Sequence, residues 1–291
     1  MLPSPFQFER PSTIADAVRA VGDSGDGMFY AGGTELLLAM KMRVIRADRL
    51  IDIKGIPGLD CIAVNDMNEI EIGARCTHKK IAGDSVIREH VPALSSLCAE
   101  VANIRVRNVG TIGGNLCFGE PHADPPTMLA ALNARLVLEG SKGAREIHAD
   151  DFIRSEMETV REPDELLRVI VFPRPAGPVT YRRFKHGERP SVNVAMAWSL
   201  NAGGSTIRSA CVRVGALGSR PQPLTAVEDA LRNVAVAEAR RAIETALPAA
   251  LDQLEVNADR HGGADYKRHL AGVLLLRNAA EAIIAGGSWL K

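Results

Sequence analysis

The chain has 291 residues, in which 35 Lys plus Arg balance 35 Asp plus Glu, and a hydrophobic share of 46%. Formal neutrality leaves no global field for nucleic acid or an anionic membrane surface, so neither is expected as a partner. The length and apolar content suit a folded protein with a substantial core, divided among two or three domains.

Residues 4–9 fit a short strand. Pro11-Ser12 then open a helix whose Ile14, Ala17, Val18 and Val21 share one face until Gly22 ends it. Met28-Phe29-Tyr30 is a brief strand that runs into Gly32-Gly33. Thr34-Glu35 begin an apolar helix from Leu36 to Met42, and Leu50-Ile51-Asp52-Ile53 is a further strand. This order predicts a small α/β unit over residues 1–55. The segment Tyr30-Ala31-Gly32-Gly33-Thr34-Glu35 would sit at a helix N-terminus, where unpaired N–H groups and the macrodipole attract an anion. It matches neither the GxGxxG pattern nor the P-loop pattern, so neither a Rossmann site nor a P-loop follows. Glu35 is an awkward neighbour for a phosphate, and is expected to cap or orient the loop or to accept from a hydroxyl.

A second unit is expected over residues 56–177. Cys61 to Val64 and Ile70 to Gly73 read as a hairpin, Thr77 caps a short helix through Ile81, and Pro92 starts a longer one with Leu94, Leu97, Cys98 and Val101 on one face. Next comes Val109-Gly110-Thr111-Ile112-Gly113-Gly114-Asn115-Leu116. Without a Cβ, Gly113 and Gly114 can take positive φ and turn successive N–H groups to one side, with Thr111 and Asn115 adding short side-chain donors. A single Gly-Gly pair reads first as a tight turn between buried elements. Two separate segments that each offer Gly-Gly beside a threonine point to one extended phosphate ligand held from both sides. Downstream, Asp124 precedes Pro125-Pro126, where it would cap the next helix or serve the ligand. A helix through Leu132, a hairpin of Leu136 to Leu138 with Arg145 to Ile147, and a strand from Leu166 to Phe172 complete the unit.

The run from Pro173 to Pro178 is the clearest linker. After it, strands near Thr180–Lys185, Val192–Leu200 and Ile207–Val214 precede about three helices broken near Pro248 and Gly262-Gly263, an α+β third domain over residues 178–291. The five cysteines, Cys61, Cys76, Cys98, Cys117 and Cys211, are scattered and contain no CxxC pair, so neither a zinc ribbon nor an iron–sulfur site is argued and reduced thiols are expected. No apolar run approaches a membrane span and no leader pattern opens the chain, which predicts a cytoplasmic protein. His122 is read as a packing residue, and Trp198 and Trp289 as core or interface.

Three stretches carry a family resemblance: Ala31-Gly32-Gly33-Thr34-Glu35-Leu36; Thr111-Ile112-Gly113-Gly114-Asn115 with Asp124; and Phe184-Lys185 ahead of Arg189. Tyr266-Lys267-Arg268-His269-Leu270, leading to Leu276-Arg277-Asn278-Ala279, adds to it. In this order the chain resembles the flavin-binding middle subunit of molybdenum hydroxylases, the carbon monoxide dehydrogenase and xanthine dehydrogenase group. The resemblance implies an α+β chain: a PCMH-type FAD-binding domain of two α/β subdomains, then a C-terminal domain with a three-stranded antiparallel sheet and a helical bundle. It implies that Tyr30, Ala31, Gly32, Gly33, Thr34 and Glu35, with Thr111, Ile112, Gly113, Gly114 and Asn115, cradle the FAD phosphates and adjoining ribityl. Asp124 matches a position that accepts from flavin-side hydroxyls, Leu167 an apolar contact to the adenine end, and Lys185 a cation near the isoalloxazine. Val101 would line the same cavity. No catalytic residue and no metal ligand is implied in this chain. The molybdenum cofactor and [2Fe-2S] clusters are expected on a large and a small partner subunit, in a dimer of heterotrimers. Two rivals stand beside this reading: a stand-alone flavoprotein oxidoreductase of the same fold, and a non-enzymatic scaffold subunit.

Overall fold

The computed structural model describes residues 2–288, so the expectation for Trp289 lies outside the described residues. In the first unit, β1 (Gln7–Glu9), α1 (Ile14–Gly22), β2 (Gly27–Tyr30), α2 (Leu36–Lys41) and β3 (Arg49–Asp52) follow one another. The strands pair in parallel in the order β1-β3-β2. Thr13 starts α1 by accepting from the Asp16 N–H, and Ala17 and Val21 pack on Ile51 and Ile53. On the other side, Met40 of α2 packs on Leu50. The chain therefore leaves β2 at its carboxyl end straight into Gly32-Gly33, the edge at which parallel α/β sheets hold ligands.

The second unit opens with the hairpin β4 (Ile62–Val64) and β5 (Glu69–Gly73). A run of helices follows: α3 (His78–Gly83), α4 (Ser85–His90), α5 (Pro92–Glu100), α6 (Ile104–Val109), α7 (Ile112–Phe118) and α8 (Pro125–Ala131). Then come β6 (Arg135–Gly140), β7 (Gly143–His148), α9 (Ala149–Phe152), the small pair β8 (Ile153–Ser155) and β9 (Glu158–Thr159), and β10 (Leu166–Pro173). The sheet order is β4-β5-β10-β6-β7, antiparallel throughout, with the last strand in the centre. Helices α4 and α6 were not expected from the sequence. Each starts at a side chain whose capping role went unread: Asp84 accepts from the N–H groups of Val86 and Ile87, and Asn103 from those of Arg105 and Val106.

The stretch after Val109 also departs from expectation. It is not an open glycine loop with positive φ. Thr111 is the N-cap of α7, its Oγ1 accepting from the Gly114 N–H at 3.1 Å. Gly113 and Gly114 occupy the first turn, and the left-handed residue is Gly119, which ends the helix at φ 66°.

The third unit is the expected meander, β11 (Val179–Lys185), β12 (Pro190–Leu200) and β13 (Thr206–Gly215). Two short strands, β14 (Gln222–Pro223) and β15 (Val234–Ala235), lie along β13, and α10 (Thr225–Leu231), α11 (Ala239–Asp252) and α12 (Ala264–Ser288) cover the sheet. Pro248 does not break the helices as expected. It sits inside α11, whose buried Ile243 and Ala250 pack into the third core on either side of it and hold the helix through the proline. The segment Ala264–Gly286 of α12 is long and apolar enough to cross a membrane, which the sequence reading had not found in any run. In the fold its Ala271, Leu274, Leu275, Ala279 and Ala282 are core residues, beside the fully buried Lys267 and Asn278. Trp198 is in this core, as expected.

Candidate cofactor site

The two Gly-Gly segments meet. A Cβ on Gly32 would overlap the Val109 carbonyl oxygen and stand 2.9 Å from Gly110 Cα, so only glycine lets the first segment lie against the approach to α7. Gly33 takes φ +69° over the Tyr30 ring, and that ring is held by Phe8 edge-on at 5.8 Å and by Lys54 Nζ at 4.3 Å. Ala31 packs against the first core and Thr34 is half-buried. Intrachain bonding resumes at Leu37 N, which donates to Gly33 O. Among the described residues the N–H groups of Gly32, Gly33, Thr34 and Glu35 meet no acceptor. Such a cluster of free donors at the start of α2 is suited to an anion.

Across from it, the residues of the second segment divide their work. Thr111 and Ile112 are buried, and Gly113 presses on Ala74, where a Cβ would stand 2.6 Å from the Ala74 carbonyl oxygen. Gly114 faces outward. Asn115 keeps a buried Oδ1 that has no partner among the described residues, an unsatisfied group of the kind a ligand donor would meet. Glu35 does not cap α2: it has helical backbone and makes no capping bond, and its carboxylate accepts from Arg189.

Asp124 does not cap α8 either. It is almost fully buried, with Oδ1 accepting from the Tyr181 hydroxyl and Oδ2 paired with the Arg183 guanidinium. Burial pushes the Asp124 carboxyl up, against Arg183, the Tyr181 hydroxyl and Lys185, which favour the anion. Burial and the Asp124 charge raise the Tyr181 phenol well above its ordinary range, so it remains a donor. Tyr181 and Arg183 alternate along β11 onto the Asp124 side, ahead of the exposed Lys185. Arg183 Nη2 also donates to Glu100 O at 2.8 Å, which brings the end of α5 and Val101 to the same place. Leu167 lies one layer back: it packs in the second core, and its neighbour Arg168 accepts from the N–H of the Ala74 on which Gly113 rests.

Residues 4–175 match the family described as the FAD binding domain in molybdopterin dehydrogenase, and residues 180–282 match the CO dehydrogenase flavoprotein C-terminal domain. The chain belongs to this flavoprotein family of the molybdenum hydroxylases. It is 31% identical to the carbon monoxide dehydrogenase medium chain of Hydrogenophaga pseudoflava, over 97% of this chain and 99% of that one. With the nicotine 6-hydroxylase medium subunit of Paenarthrobacter nicotinovorans it shares 29% identity, over 95% and 97%. The structure of reconstituted CO dehydrogenase from Oligotropha carboxidovorans superposes with a TM-score of 0.91 at 28% identity, covering 98% of this chain and 100% of that one.

As a member of this family the chain is an FAD-dependent oxidoreductase subunit, and its residues fit FAD. The pyrophosphate calls for free N–H donors, which Gly32 to Glu35 offer, and for close backbone approach, which the open face of Gly114 allows. Polar hydroxyls call for acceptors, which Asn115 Oδ1 and the Asp124 carboxylate offer. Sequence reasoning missed Tyr181 and Arg183, although their two-residue spacing from Lys185 on a strand is a signal that the face is shared. His122 is a tie, as expected of a packing residue: Nδ1 lies 2.9 Å from Pro190 O and Nε2 3.1 Å from Asp259 Oδ2, joining the loop before α8 to the third unit.

One buried histidine supports the site from behind and makes it acid-sensitive. His78 opens α3 beside Thr77, which bridges to Thr111, and its Nδ1 has no partner among the described residues. Burial first, then the Arg107 charge, lower its pKa from the ordinary 6.5 to about 4. The unfolded chain therefore binds the extra proton as pH falls below 6.5 while the folded chain stays neutral. His78 contributes stability above that pH and loses it as pH falls towards 4, by about 3 kcal/mol in all. In urea unfolding followed across this window, His78→Leu is expected to flatten the decline by that amount.

Proposed function

We propose that this chain is the electron-transfer subunit of a multi-subunit molybdenum hydroxylase. Electrons from [2Fe-2S] clusters on a small partner pass to FAD held where the two Gly-Gly segments meet, and then to an external acceptor. Substrate is hydroxylated at a molybdenum cofactor on a large partner. The observation that supports this most is the contact of Gly32 with Val109 and Gly110, which sets the free N–H groups of Gly32 to Glu35 beside the outward-facing first turn of α7. In this reading residues 30–35 and 111–115 hold the pyrophosphate and ribityl, and Asp124, fixed by Tyr181 and Arg183, accepts from flavin-side hydroxyls. Leu167 backs the adenine end, Val101 lines the cavity, and Lys185 faces the isoalloxazine. FAD supplies a centre that exchanges electrons with both one- and two-electron partners.

Support for the division of labour comes from the relatives, which are medium chains and subunits of carbon monoxide dehydrogenase and nicotine 6-hydroxylase. Among the described residues no group of three or more His, Cys, Asp or Glu is placed to hold a metal ion, and the five cysteines are free. The proposal extends to a cytoplasmic dimer of heterotrimers, with domain boundaries at residues 1–55, 56–177 and 178–291 in this chain.

The test is to isolate the native assembly and mix its reduced iron–sulfur subunit anaerobically with this chain loaded with oxidised FAD. Bleaching of the flavin as the cluster spectrum returns to its oxidised form is expected. A flavin that stays oxidised, or a chain that isolates alone and oxidises a substrate unaided, would overturn the proposal.

A cation beside the ring favours the reduced, more negative flavin. Lys185→Met is therefore expected to keep near-normal FAD content and to lower the midpoint potential. Lys185 is exposed, so screening limits the shift to roughly a few tens of millivolts. A dye-coupled redox titration of both proteins measures it, and equal potentials would return Lys185 to the surface.

A further inference from the structure

Arg189 stands in the turn between β11 and β12, in the third unit, yet its guanidinium faces the other two. Nη2 donates to Glu35 Oε1 at 3.0 Å, and Nη1 pairs with Glu120 Oε2. Glu35 directly follows Gly32-Gly33-Thr34, and Glu120 follows Gly119, the residue that ends α7. One guanidinium therefore meets both halves of the cradle from a third side. Only about a third of the Arg189 side chain is exposed, and Glu120 is 11% exposed.

Glu35 poses a problem for any phosphate held by this segment. Its carboxylate is attached to one of the residues whose N–H groups meet no acceptor. Left free, that carboxylate repels an incoming anion and competes for the same N–H groups and the same helix start. We infer that Arg189 is a positioning residue for the flavin, drawing the Glu35 carboxylate away from the nest, neutralising it, and tying the two Gly-Gly segments together through Glu120. An arginine suits the position because its planar fork reaches two carboxylates in different directions, which an ammonium does not do as well. The inference rests on the proposed placement of the FAD pyrophosphate.

The experiment follows the loss of FAD from the loaded chain on dilution, read by free-flavin fluorescence, with thermal unfolding of each apoprotein as a control. Two partly exposed ion pairs are worth a factor of about five, so Arg189→Met should release FAD about fivefold faster, with an apoprotein that still unfolds cooperatively and only slightly earlier. Glu35→Gln added to that variant removes the uncompensated charge and should slow release again, a rescue that a merely structural role for Arg189 would not give. Arg189→Lys should fall between wild type and Arg189→Met. Should Arg189→Met not fold, Arg189→Lys decides alone: faster release supports the inference and unchanged release overturns it. Release from Arg189→Met as slow as from wild type, or no rescue by Glu35→Gln, overturns it as well. A wild-type chain that does not retain FAD at all would instead overturn the functional reading on which it rests.

Discussion

Gly114→Val is expected to give a chain that folds normally and binds flavin at least about tenfold more weakly. A Cβ at Gly114 meets one group, Thr111 Oγ1 at 2.8 Å, and otherwise points into open space. The residue has helical backbone with negative φ, so valine brings no left-handed strain, and it is a better helix former than glycine. The two methyls nevertheless occupy the exposed outer face of the first turn of α7, the space a pyrophosphate held on the free N–H groups of Gly32 to Glu35 would share, and so push it off those donors. Loss of one or two charge-assisted hydrogen bonds costs about 1.5–3 kcal/mol each, so affinity should fall by at least about tenfold. Gly113→Ala is the contrast. Its Cβ would press on the Ala74 backbone at 2.6 Å, and it should damage fold and flavin content together. Flavin per chain from absorbance, with circular dichroism for the fold, separates the two. Normal flavin content in Gly114→Val would make the start of α7 an ordinary helix N-terminus.

Arg183→Met is expected to be the most destabilising single change at the site. It leaves Asp124 buried without its cation, and breaking a buried pair from one side costs about 3–5 kcal/mol. Asp124 then avoids the cost by taking a proton. Its folded pKa, already raised by burial, rises further once Arg183 is gone, so the folded variant binds a proton that the unfolded chain does not. The variant therefore recovers stability relative to wild type as pH falls towards the ordinary carboxylate range. That sign is opposite to the acid loss carried by His78, which is common to both proteins and cancels in the comparison. Asp124→Asn in the Arg183→Met background should restore part of the loss at neutral pH. Urea unfolding of the three proteins at two pH values measures all of this, and a loss that does not depend on pH would place its cause elsewhere than Asp124.

What the sequence made legible was local. Gly32-Gly33 and Gly113-Gly114 stand out because close backbone approach needs glycine, and the periods around the first pair place it at a helix start; the second pair reads as a loop, and its place inside the first turn of α7 was not legible. That they serve one ligand was expected; the direct contact of Gly32 with Val109 and Gly110 was not legible, because it depends on how the parallel sheet of the first unit packs against the second. The Thr111 hydroxyl caps α7 as an acceptor, a role the local pattern did not announce, and the caps at Asp84 and Asn103, equally silent in the sequence, start α4 and α6. For Asp124 and Glu35 the chain neighbours offered a cap beside a ligand or loop role, and neither makes a capping bond. Their partners lie 57 and 154 residues away, at Tyr181 and Arg189, and no local pattern announces such pairs. Pro248 shows the same limit in reverse, since propensity argued for a break where burial of Ile243 and Ala250 carries the helix through.

The central claim is that one FAD lies across the joint of the two Gly-Gly segments. Isothermal titration of FAD into the apoprotein, and into Gly32→Ala, tests it most directly. The account predicts one FAD per wild-type chain and loss of that binding in Gly32→Ala, because the added Cβ collides with the Val109 carbonyl and forces the two segments apart. Equal FAD affinity in the two proteins would contradict it.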